Sequence, residues 1–172
     1  MVEDVANRGL VVGVDGSAAA LAALRWSAAK ARLLHTRVLV IHAWLPSSSL
    51  RAPYAPARER LTPEQERARA EATLEGNVAE LLRADPDVDV TMLLHEGPAA
   101  PVLLNHAREA LLLALGRKPR TDVTQPALGA VARACMRLAA CPVVTVPEPP
   151  PDAAEAELPW VRDGVAAGLE RA

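Results

Sequence analysis

Apolar and polar positions change period repeatedly along the chain, and the changes mark its elements. Gly9 to Asp15 is a short apolar run that ends on an acid, and Ser17 then stands where a helix cap belongs. Leu21, Leu24, Ala28 and Ala31 recur at helical spacing behind it. Val38 to Trp44 is continuous and β-branched, which predicts a second strand. Leu45 to Pro63 is rich in proline and serine and predicts a loop longer than compact domains usually carry. From Glu64 to about Arg83 the helical period returns, with Leu74, Val78, Leu81 and Leu82 on one face. Val88 to Leu94 reads as a third strand, Gly97-Pro98 as punctuation, and Pro101 to Glu109 as a short helix. Leu111 to Leu115 is expected to be a fourth strand that stops at Gly116. A polar loop from Arg117 to Pro126 precedes an amphipathic helix carrying Leu128, Val131, Ala132, Cys135, Met136 and Ala139. Cys141 to Pro147 supplies a fifth strand between prolines.

Strands separated by helices imply right-handed crossovers and a mainly parallel sheet. Both faces of such a sheet are covered, so its strands are apolar runs instead of alternations. Residues 1–147 are expected to form one α/β domain, and residues 148–172 an acidic, proline-rich linker with a possible short helix over Trp160 to Leu169.

Composition narrows the classes. Hydrophobic residues make up 51% of the 172 positions and aromatics only 2%, with no Phe, so the core must be built from Leu, Val and Ala. A formal charge of −2, with both signs mixed, gives no basic field for nucleic acid. No stretch approaches the roughly 20 apolar residues of a membrane span, and the acidic start does not read as a signal peptide. A soluble, cytoplasmic protein is the expectation. Cys135 and Cys141 form no C-x-x-C pair, and the four histidines, His35, His42, His95 and His106, show no zinc spacing.

In open parallel sheets ligands gather at the carboxyl ends of strands, near the reversal of strand order. Here those ends deliver Asp15, Gly16 and Ser17, then His42 to Trp44, His95 to Gly97, and Gly116 onward. The last leads into G-R-K-P-R-T-D-V-T-Q-P-A-L-G-A, with Arg117, Lys118 and Arg120 placed to neutralise an anion and Gly129 opening the next helix. It is neither a P-loop nor a dinucleotide fingerprint. Each residue also has a plainer role: Asp15 as a turn carboxylate, Ser17 as a cap, Gly97 as a turn glycine, and the cations as surface charge. His42 and His95 could approach each other if the second and third strands are neighbours, a constellation to weigh for an enzyme.

The order and spacing of V-V-G-V-D-G-S, A-L-R-W-S-A, V-L-V-I-H-A, E-G-P-A-A-P-V-L-L-N-H-A and A-C-P-V-V-T-V-P resemble the universal stress protein family from Leu10 to Val146. The resemblance implies an open, Rossmann-like, five-stranded sheet in the order 3-2-1-4-5 with helices on both faces. It also implies ATP, with Mg2+, as the ligand of members that carry Gly, two residues, Gly, nine residues, Gly, then Ser or Thr. Gly116 matches the first glycine and Gly129 the third. Pro119 takes the second glycine's place and Ala130 that of the hydroxyl residue. Proline has no amide hydrogen and a φ fixed near −65°. The missing hydroxyl removes a bond to a charged oxygen worth roughly 1.5–3 kcal/mol, about tenfold or more in affinity. Arg117, Lys118 or Arg120 could compensate. Asp15 matches the family's acid near adenine and ribose, Ile41, His42 and Ala43 would line the base, and Leu111 stands where members commonly have Asp.

Homodimers are also a family property, which makes Val143 to Val146 a candidate for edge pairing. The first functional reading is therefore a nonenzymatic stress-response or signalling protein binding ATP or another adenine nucleotide weakly. The second is a dimeric interaction module that has lost the nucleotide. A nucleotide hydrolase ranks third.

Overall fold

The structure is a computed structural model that describes residues 9–47, 61–118 and 128–149. Five parallel strands form one sheet: β1 (Leu10–Gly13), β2 (Val38–Trp44), β3 (Val90–Glu96), β4 (Leu112–Arg117) and β5 (Val143–Pro147), in the order β3-β2-β1-β4-β5. Helices α1 (Ala18–Leu34), α2 (Pro63–Ala84), α3 (Ala99–His106) and α4 (Ala130–Leu138) connect them. The expected α/β architecture and strand order are both present.

Alternation within the central strands builds two cores. Leu10, Val12 and Val38 pack with Ala20, Ala23, Leu24 and Ala28 of α1 and Leu74, Val78 and Leu81 of α2. Val11, Ile41, Leu113 and Leu115 face the other way, onto Val102 and Leu103 of α3 and Ala132 and Cys135 of α4. Leu10, Leu24, Val38, Ile41 and Leu113 are fully buried, each a contribution of about 1.5–3 kcal/mol against exposure. Alanines along α1 do for the helix what the missing aromatics cannot, letting its backbone lie close to the sheet.

Local chemistry sets the helix ends. Thr62 and Gln65 close a reciprocal capping box on α2, with Pro63 at its first position. Pro101 is tolerated inside α3 because it lies in the first turn, where backbone amides have no partner within the helix. That helix consequently starts two residues earlier than the sequence pattern suggests, and it ends at His106. Arg25 to Glu80 at 2.8 Å and Arg32 to Asp85 at 2.9 Å tie α1 to α2 at the surface.

Four strands differ from expectation at their boundaries. β1 covers Leu10–Gly13 and ends two residues before Asp15, which belongs to the turn into α1. β3 begins at Val90 and runs to Glu96 because its ladder follows β2, from Val38↔Val90 to Trp44↔Glu96, while Val88 is buried in the preceding turn. β5 starts at Val143, after Pro142. Gly116 does not stop β4: it pairs with Val146 inside the strand, and Arg117 pairs with Pro147. Leu111, standing where family members commonly have Asp, packs partly buried against the core shared by α1 and α2. Among the described residues, no helix is long and apolar enough to cross a membrane.

Candidate functional site

A cavity of about 580 Å³ opens at the carboxyl ends of β1 and β4, bordered by the N-terminal turns of α1 and α4 and by Ala99 and Leu103 of α3. This is where strand order reverses, β1 having β2 on one side and β4 on the other. Its volume falls within the range of small-molecule sites.

One wall is the β1–α1 turn. Asp15 Oδ1 accepts the Ser17 amide at 3.0 Å and the Ser17 hydroxyl at 2.6 Å, and Ser17 Oγ in turn accepts the Ala20 amide at 3.2 Å. Gly16 between them has φ +82°, a left-handed conformation open to glycine at little cost. The plainer roles of Asp15 and Ser17, turn and cap, are thus present together with their position on the cavity. Only Oδ1 is engaged in the turn.

The floor is apolar. Gly13, Val14, Ile41, Ala43, Leu103 and Leu115 contribute to it. Gly13 is small because a Cβ there would come within 2.9 Å of Leu115 Cδ2 and 3.0 Å of Leu103 Cδ1. Gly116 is small for a different reason: a Cβ would land on the backbone of Ala19 and Ala20. Its glycine is demanded by α1, whatever a ligand requires.

The far wall is α4. Gly129 caps it without a side-chain hydrogen bond, and its first turn contains no acid. A Cβ at Gly129 would meet nothing within 4 Å, so packing leaves glycine optional there. Arg117, Lys118 and Arg133 all border this space, and among the described residues none of the three is paired with a carboxylate. Opposite them stands Asp15.

Asp15, Ser17, Ile41, Ala43, Gly116, Arg117, Lys118, Gly129 and Ala130 therefore converge on one cavity. His42, Gly16 and Gly97 do not line it. His42 projects from the other face of β2 and its Nδ1–H donates to the Val14 carbonyl at 2.7 Å, holding the β1 exit. Gly97 is a close-packing turn residue, with Val102 Cγ2 2.9 Å from where a Cβ would be. Arg120, Pro119 and the Trp160 to Leu169 segment lie outside the described residues.

The suggested approach of His42 to His95 does not occur. Register pairs His42 with Leu94 and Ala43 with His95, so the two imidazoles fall on opposite faces. His95 Nδ1 instead meets His106 Nε2 at 3.2 Å. Burial, and secondarily the charge of His95, lower the His106 pKa. Burial raises both thiols, Cys135 with a further push from Cys141, which makes them poor nucleophiles.

Arg133 was not singled out from sequence, because the helical pattern assigned α4 by its apolar face. Its signal was present in the spacing: Arg133 follows Ala130 by three residues, on the same side of the first turn.

The model of the Universal stress protein family matches residues 7–147. Universal stress protein Rv2623 of Mycobacterium tuberculosis is 30% identical over 140 residues, 80% of this chain and 47% of that protein. The chain spans about half the length of the curated relatives it matches. Among solved structures, the universal stress protein from Archaeoglobus fulgidus in complex with dAMP superposes with a TM-score of 0.59 at 24% identity, over 82% of this chain and 98% of that one. A universal stress protein family protein from Arabidopsis thaliana with AMP bound gives 0.56 at 18% identity, over 87% and 97%.

Proposed function

Because the chain belongs to the universal stress protein family, we propose that it is a stress-response protein that binds an adenine nucleotide in the cavity between β1 and β4. The observation that carries this reading is the polarity of the cavity: an apolar floor leads to an uncapped helix N-terminus flanked by Arg117 and Lys118. Ile41, Ala43, Leu103 and Leu115 offer a surface for the flat face of a base. The second carboxylate oxygen of Asp15, without a hydrogen bond among the described residues, can accept from a ribose hydroxyl or an exocyclic amine. Helix amides and cations suit a phosphate. The dAMP and AMP held by the two structural relatives support adenine as the base.

The role in this reading is binding without turnover: among the described residues no positioned base and nucleophile face the cavity, His42 being engaged with Val14 and Ser17 with its helix. ATP would bring Mg2+ with it on its phosphate oxygens. Among the described residues no group of three or more His, Cys, Asp or Glu could hold a metal ion. Pairing of the edge strand β5 between two copies, in the cytoplasm, completes the proposal.

Calorimetric titration of nucleotide-stripped protein with AMP and with ATP and magnesium tests it. Saturable binding with a dissociation constant in the micromolar range is expected. No heat of binding for either at millimolar concentration would leave the interaction-module reading, which Ala130 at the first position of α4 favours.

A further inference from the structure

Resting on the nucleotide reading above, we infer that Arg133 makes this site select phosphate-bearing nucleotides over the bare nucleoside, replacing the hydroxyl that Ala130 lacks. Arg133 is the fourth residue of α4, and its amide bonds the Gly129 carbonyl at 3.1 Å. Helical side chains lean toward the N-terminus, so the guanidinium of such a residue reaches over the open first turn. The cavity lining includes it beside Gly129, Ala130, Arg117 and Lys118.

Two further observations point to an anion there. A cation at a helix N-terminus opposes the macrodipole, and α4 has no acid in its first turn to offset it. Arg117 and Lys118 add like charge to the same cavity, and among the described residues no carboxylate is paired with any of the three. Asp15 across the cavity uses Oδ1 in its own turn. An unliganded arrangement of this kind is self-repelling, and a phosphate relieves it. Arginine suits the task because its fork can meet two phosphate oxygens at once.

The experiment compares wild type with Arg133→Met and Arg133→Lys, titrating each with adenosine and with AMP and melting each without ligand. Arg133 is exposed, so the variants should fold. In Arg133→Met the preference for AMP over adenosine is expected to fall about tenfold. Adenosine affinity stays as in wild type, and the ligand-free melting temperature rises by about 1–3 °C as the misplaced charge is removed. Arg133→Lys keeps part of the preference. An unchanged preference in Arg133→Met overturns the inference and leaves the nucleotide site standing. A lowered preference accompanied by a lower ligand-free melting temperature assigns Arg133 to holding the fold, and overturns it as well. Wild-type protein that binds neither ligand at millimolar concentration overturns both readings together.

Discussion

Two helices begin at the same cavity and begin in opposite ways. The start of α1 is closed: Ser17 caps the Ala20 amide, Asp15 holds Ser17 by two bonds, and Gly16 makes the turn. At α4 the start is open, with Gly129 as a cap that supplies no side-chain bond, Ala130 without a hydroxyl, and cations where acids would stabilise. One helix start is thus settled by the fold, and the other is left for something outside it. Unsatisfied amides at a helix start cost free energy unless water or a ligand meets them. The largest test of this contrast is Gly116→Val. A side chain there would collide with the α1 backbone at Ala19 and Ala20, atoms that cannot yield as a flexible side-chain end can. The expected loss is about 3 kcal/mol or more, a fall of roughly 10 °C in melting temperature. Little change would mean that α1 is not fixed to the sheet at this point.

A reciprocal pair of variants then addresses the two starts themselves. Ser17→Ala removes the cap of α1 and should destabilise by about 1 kcal/mol. Gly129→Asp gives α4 the closure it lacks, in a place where a Cβ has open space. It should stabilise the ligand-free protein by about 0.5–1 kcal/mol and weaken nucleotide phosphate binding more than tenfold through like charge. Thermal melting read beside AMP titration checks both. If Gly129→Asp bound AMP as well as wild type, the open start of α4 would have no part in recognition.

Much of the fold was legible because the strands are buried on both faces and therefore stand out as apolar runs. Strand ends were less so, since they are set by neighbours: β3 extends to Glu96 because β2 reaches Trp44, which no local pattern reveals. The order of strands came from family resemblance, not from periodicity. In the site, Asp15 and Ser17 were readable from the abrupt end of an apolar strand. Gly116 was matched to a phosphate motif, yet its nearest demand comes from a helix distant in sequence. The pairing of His95 with His106, and not with His42, depends on register, and a single-residue offset reverses it. Arg133 escaped notice because a helix read by its buried face leaves the opposite side looking like solvent.

Helix α3 borders the cavity through Ala99 and Leu103, but its titratable group, His106, faces His95 and not the cavity lining. Burial and the neighbouring imidazole lower the His106 pKa, so the folded chain favours its neutral form. Unfolding frees it to take a proton near the ordinary histidine value of about 6.5. Its contribution to stability is thus complete above that pH and is lost as pH falls through the lowered folded value. His106→Gln can keep a hydrogen bond to His95 while removing the titration. Between pH 7 and 5.5 the melting temperature of wild type should fall further than that of the variant. AMP affinity, compared between the two proteins at each pH so that the ligand's own titration cancels, should not differ. An affinity that followed His106 would move control of the cavity's charge from α4 to α3, and the two helix starts would no longer be the relevant pair to compare.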